Sequence, residues 1–186
     1  MGKIKNISFP PIISCRPRAL CANKCYAKQA YLQYPGTKKA WDENYQLYKT
    51  VPTEYWNQLY KWFQNRHKPI KYFRWHVSGD IPDNKYYSHM ILFCRIFNDI
   101  QFLCFTKRYE LIKYKHLVPR NLTMIYSHWI NDGITLKGVR QAWVYDSKDV
   151  DNRIPKSAYK CPADCQVCGL MCWKLKNSGH VMFNIH

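Results

Sequence analysis

Acidic side chains are scarce in this chain: 12 aspartates and glutamates stand against 29 lysines and arginines, a formal charge of +17. A surface this basic is far from neutral and attracts polyanions, RNA or DNA first among them, unless the lysines serve only as a solubilising coat. Long apolar runs are missing as well. None approaches the roughly eighteen residues that a membrane span needs, and the opening Met-Gly-Lys-Ile-Lys-Asn lacks the apolar centre of a secretion signal. Gly2 is followed by Asn6, where a myristoylation signal takes Ser or Thr. These absences predict a protein of a reducing cytosol with no membrane partner. Repeats, low-complexity tracts and Gly/Ser linkers are absent too, which predicts one domain over 1–186. Within it lie a first cysteine loop region at 1–36 and a C-terminal cysteine-rich loop at 147–179. With 47% hydrophobic and 16% aromatic residues in 186, a sizeable core is expected.

Against these absences, cysteine is plentiful and clustered. Seven of the nine fall into two groups, Cys15-x5-Cys21-x3-Cys25 and Cys161-x3-Cys165-x2-Cys168-x3-Cys172. Packing or disulfide cysteines have no need of close neighbours, whereas a soft metal needs several thiolates converging on one point. In the C-terminal group Pro162 and Gly169 help bend the chain. Only Cys165-x2-Cys168 has the spacing of a zinc knuckle, so an iron-sulfur cluster is favoured, with zinc as the alternative. The N-terminal group has three cysteines and no near fourth. Three thiolates on a four-iron cluster leave one iron open to a cofactor or substrate; the bland alternative is an ordinary ligand set completed by a distant residue. Cys94 and Cys104 read as packing residues. Two cubanes of charge +2 with seven thiolates would still leave a net charge of roughly +14.

The rest of the chain alternates helical and extended patterns. Helices are predicted from Tyr26 to Gln33, Thr37 to Thr50 and Thr53 to Arg66. In the third, Trp56, Leu59, Tyr60 and Phe63 share one face and Thr53 serves as the cap. Another helix follows Pro82, capped by Asp83 or Asn84, and a short one covers Tyr109 to Lys115. Strands are predicted at Lys71 to Ser78, Gln101 to Thr106, Leu122 to His128, Gln141 to Tyr145 and Val181 to Ile185. This order implies an α/β fold, either a partial (β/α) barrel or an open, mainly parallel sheet. In both, reactive groups collect at the C-terminal strand ends, which singles out Asp80, Thr106, Lys107, Ser127, His128 and Asp146. Asp80, behind Ser78 and Gly79, is the foremost of these, with a turn or capping aspartate as its alternative. His76 and His89 read as structural or surface residues.

Four motifs together resemble a bacteriophage family known as gene product eighty-eight and, more distantly, the radical S-adenosylmethionine (SAM) enzymes. They are Cys15 with Leu20-Cys21-Ala22-Asn23-Lys24-Cys25-Tyr26-Ala27, Arg74-Trp75-His76-Val77-Ser78-Gly79-Asp80, Phe105-Thr106-Lys107, and the block from Cys161 to Trp173. The second resemblance implies a partial barrel whose first loop holds a 4Fe-4S cluster through Cys15, Cys21 and Cys25, with the open iron binding SAM. Those cysteines match by position but not by the C-x3-C-x2-C spacing usual there, which occurs instead at Cys161, Cys165 and Cys168. Ser78, Gly79 and Asp80 stand where that superfamily contacts the SAM amino group. Asp80 and Lys107 are thereby expected to position the cofactor, while the C-terminal four hold a second cluster; His128, singled out by its strand end alone, is a further catalytic candidate with a structural histidine as its alternative. Two other functions remain open. One is a non-enzymatic iron-sulfur protein that stores or passes electrons or clusters, even with one larger cluster held by both groups. The other is a zinc-stabilised nucleic-acid-binding module. A reductant protein is the further partner expected, and a phage origin implies the host cytoplasm.

Overall fold

The computed structural model describes residues 4–15, 19–149, 151–165 and 167–185; Gly2, read above against a lipidation signal, lies outside them. Seven parallel strands form one open sheet: β1 (Lys5–Ile7), β2 (Tyr72–Trp75), β3 (Gln101–Thr106), β4 (Leu122–Ser127), β5 (Gln141–Tyr145), β6 (Tyr159–Lys160) and β7 (His180–Asn184). Their order is β1-β2-β3-β4-β5-β7-β6. Five strands are therefore laid down side by side in chain order. Only the last pair reverses, because β7 inserts between β5 and β6.

The helices are α1 (Tyr26–Gln33), α2 (Pro35–Thr50), α3 (Pro52–Gln64), α4 (Asn84–Ile96) and a single turn α5 (Met171–Lys174). Two 3-10 helices cover Leu20–Lys24 and Tyr109–Leu117. Helix α3 starts without the predicted Thr53 cap: no side chain caps it, and Pro52 at its first position supplies a preset φ where the missing N–H costs nothing. Helix α4 does have the expected cap, with Asp83 accepting from the Tyr86 N–H at 2.8 Å.

The pleat divides the core into two unequal parts. On one face Phe73, Trp75, Phe102, Cys104, Leu122, Met124 and Tyr126 meet the buried sides of α2, α3 and α4. Aromatic rings dominate, with Phe63 at 4.8 Å from Phe93 and 5.0 Å from Phe73. On the other face Leu103, Ile125, Ala142 and Val181 are covered by Trp173 together with Cys161, Cys165, Leu170 and Cys172. The cysteine-rich C-terminal segment thus takes the place of a second helical layer.

Strand β2 is shorter than its Lys71 to Ser78 pattern because His76 adopts φ 52, in the left-handed region. The flip turns its ring back into the aromatic core, 5.0 Å from Phe9 and 5.2 Å from Tyr86. Strict alternation would have sent it to the opposite face. Among the described residues, no helix is long and apolar enough to cross a membrane.

Candidate metal centres

The first centre is built where β1 and β2 end. Beyond β1 the chain continues alongside the extension of β2: His76 N–H donates to the Ile7 carbonyl at 2.8 Å and Phe9 N–H to the Ser78 carbonyl at 3.2 Å. The Ser8 hydroxyl accepts from the N–H groups of Val77 and Ser78, at 3.1 and 3.3 Å. The loop that carries Cys15 then folds over Gly79. A Cβ at Gly79 would meet the Ser14 hydroxyl at 2.3 Å and Phe9 at 3.0 Å, and its φ of +75 favours glycine on its own account. Gly79 and Ser78 therefore act here as the seat of the first cysteine loop. Ile12, three residues before Cys15, holds φ 69, a strained conformation for a β-branched side chain.

Asp80 is buried beside that loop and receives three hydrogen bonds. Ile81 N–H and the Thr106 hydroxyl reach it at 2.7 Å, and Lys107 N–H at 2.8 Å. It ties the end of β2 to the end of β3. Burial raises its pKa, against which these donors act. Cys15, Cys21 and Cys25 gather next to it. Burial chiefly pushes the Cys15 thiol up to about 12, helped by the charges of Asp80, Cys21 and Cys25. Cys21 is raised for the same first reason, with the Lys107 ammonium pulling it down and Cys25 and Asp80 pushing it up. Tyr26, directly after Cys25, donates its hydroxyl to the Val77 carbonyl and so anchors α1 to the strand end.

The second centre lies on the sheet face opposite the helices. Cys161 follows β6 and its N–H donates to the Met182 carbonyl of β7 at 2.8 Å. Cys165 and Cys168 occupy the following loop, where Leu170 in a left-handed conformation begins α5. Cys172 sits on α5 beside Trp173, whose indole N–H donates to the Gln101 carbonyl at 3.2 Å. Burial pushes Cys172 up to about 12, with Cys161, Cys165 and Cys168 adding to it and Arg74 opposing. Cys161 and Cys165 are raised by burial and by Cys168, again with Arg74 opposing. All nine cysteines are free thiols, and Cys94 and Cys104 are fully buried in the aromatic core.

Burial first, and then neighbouring thiolates, oppose ionisation of Cys15 and Cys21 and of Cys161, Cys165 and Cys172, a cost that a bound cation would offset. Among the described residues no three His, Cys, Asp or Glu side chains form a ready-made set for a single ion. Both groups offer sulfur donors throughout, the ligand chemistry that zinc and iron-sulfur clusters share.

His128 is placed elsewhere. Buried past the end of β4, it stacks 4.0 Å from Trp143 with Tyr109 at 6.0 Å. Its Nδ1 faces Asp132 at 3.2 Å and its Nε2 faces Gln141 at 2.9 Å. Arg153 completes the group, bonding Asp132 at 2.6 Å and Asp151 at 2.5 Å. These partners belong to neither cysteine group. Sequence reasoning left Arg74 and Tyr26 without a role, although both stand inside the quoted motifs; the signals were Tyr26 next to Cys25 and a charge at an alternating strand position. Asp132, Asp151 and Arg153 gave no such signal.

An all-parallel α/β protein with a cysteine centre beyond its first strands and another on its open sheet face is the class that fold and site define. The Gene product 88 family model matches residues 2–174, and the chain belongs to that family. No match was found among curated proteins or among solved structures.

Proposed function

We propose that the chain is an iron-sulfur protein with two separate centres and a radical-SAM-like first centre. The observation that carries this reading is the grouping of Cys15, Cys21 and Cys25 with Asp80 and Lys107 beyond β1, β2 and β3. Cys15, Cys21 and Cys25 would hold a 4Fe-4S cluster with one iron left open, and Cys161, Cys165, Cys168 and Cys172 a second one. Loaded and reduced by a low-potential reductant protein, such a cluster would supply the chemistry of reductive SAM cleavage and hydrogen-atom abstraction from a substrate. Asp80 holds the β2 and β3 ends in register beneath the cysteines, and Lys107 offers a cation that lowers the cost of the Cys21 thiolate. The test is anaerobic incubation of reduced, cluster-replete protein with SAM. The reading predicts 5′-deoxyadenosine; none from protein with both clusters intact sinks the SAM part.

The second reading, a non-enzymatic carrier of electrons or clusters, is favoured by how full the strand end is. Ser14 and Phe9 occupy the space over Gly79, and Asp80 already accepts three hydrogen bonds within the protein. Under this reading the iron signal is present and SAM leaves it unchanged. The basic surface is proposed to recruit a nucleic acid in either case, in the host cytoplasm if the gene is a phage's.

A further inference from the structure

We propose that the step in the sheet where β5 and β7 begin is the docking surface for a nucleic acid and holds its phosphate backbone. This deepens the nucleic-acid reading of the basic surface above and rests on it. Strand β5 enters the sheet late: Gln141 is level with Tyr126 and Ala142 with Ser127, the last two residues of β4. It therefore starts four residues further along than β4, a step of about 13 Å in the sheet's N-terminal edge. Separate chain segments meet there. The Lys115 ammonium lies 3.6 Å from the position that a Cβ on Gly138 would take, next to Lys137. The Arg140 Nε–H donates at 2.6 Å to the carbonyl of Leu175, which stands between Lys174 and Lys176. Gln141 N–H donates to the Gly179 carbonyl at 3.0 Å, which sets the turn after Lys176 against the start of β5.

No carboxylate offsets these cations. The segments 111–131, 133–145 and 165–186 contain no Asp or Glu, and the salt bridges among the described residues involve none of Lys115, Lys137, Arg140, Lys174 and Lys176. Arg140 is half-buried, and burial lowers the pKa of its guanidinium. A partly desolvated cation is costly unless negative charge meets it. Lysines that serve only solubility gain nothing by converging, since like charges repel. A nucleic-acid strand presents negative charge at regular intervals, and its phosphate oxygens accept from Arg and Lys side chains. Asn177 and Ser178, exposed beside Lys176, are polar and supply further donors; they lack the apolar anchor that a lipid surface takes. Lys174 ends α5 and Lys176 follows it, so a strand held at the step lies beside the C-terminal cysteine segment.

The experiment is a fluorescence-anisotropy titration of the full chain, purified without oxygen, against a labelled single-stranded RNA and a DNA duplex of the same length over a series of salt concentrations. With whichever probe the parent binds more tightly, the triple variant Lys115→Gln, Lys137→Gln, Lys176→Gln is expected to bind about tenfold more weakly or worse at low salt. Its slope of log affinity against log salt should fall in magnitude by about 2. The triple variant Lys49→Gln, Lys61→Gln, Lys85→Gln removes the same charge from exposed positions on α2, α3 and α4 and should keep the parent slope. Lysine acetylation of the parent, read by mass spectrometry with and without the bound probe, needs no variant. It should show Lys115, Lys137, Lys174 and Lys176 protected and Lys49, Lys61 and Lys85 not. Equal losses in the two triple variants, or protection spread evenly over the lysines, overturn the docking surface and leave the general basic attraction standing. A parent that binds neither probe removes the nucleic-acid reading itself, and the docking surface with it.

Discussion

His76 is the residue whose position most plainly opposes its chemistry. Its ring is buried, neither nitrogen finds a hydrogen-bond partner among the described residues, and burial holds its pKa down to about 3 against the usual 6.5. Between those values the unfolded chain takes up a proton that the folded one refuses, so stability falls as the pH drops from 6.5 towards 3, by up to about 1.4 kcal/mol per unit. Denaturant midpoints across this window should have a steeper pH slope in the parent than in His76→Asn, a residue that tolerates the left-handed backbone. Equal slopes would mean that the imidazole is protonated in the folded state. Gly79 gives a second test at this scale. Gly79→Ala places a Cβ against Ser14 and Phe9 at a positive φ, and should destabilise the fold by about 1 kcal/mol or more. It should also lower the iron held by the first centre more than that held by the second, read from metal content in Cys21→Ser and Cys168→Ser backgrounds.

At the scale of elements, β3, β5 and α1 lie where the sequence pattern puts them, because their apolar runs and breaks are local. The end of β2 was not legible in that way. Its alternation continues to Ser78, and only packing against Phe9 and Tyr86 explains why His76 turns inward. The strand β6 and the turn α5 also escaped, being too short for any period to register, although the cysteines around them were plain. These small pieces cover the sheet face that helices leave open. Trp173 is their anchor, with its indole on Gln101, its carbonyl accepting from Thr123 at 3.4 Å and its ring 5.6 Å from Tyr72. Trp173→Ala should cost about 3 to 5 kcal/mol in denaturant unfolding. A loss under 1 kcal/mol would show that the segment is held chiefly by what its cysteines bind.

Over the whole molecule, the alternating element order foretold a parallel α/β fold, and the strand-end rule singled out Asp80 and Lys107, which lie beside the first cysteine loop. It also put His128 at a strand end, but Asp132, which holds its Nδ1, and Arg153, which pairs with Asp132, come from loops with no recognisable pattern. The insertion of β7 between β5 and β6 was equally beyond local sequence. The basic charge of +17 makes its own prediction: binding to single-stranded RNA, if it occurs through this surface, should weaken steeply and linearly in log affinity against log salt concentration. Affinity that ignores salt would exclude the electrostatic mode. The central claim, two sulfur-ligated iron clusters in one chain, is tested most directly by measuring iron, sulfide and zinc with an optical spectrum on protein purified without oxygen. The account predicts brown protein with about eight irons and as many sulfides per chain, the content of two cubanes. Colourless protein with zinc and no iron would contradict it.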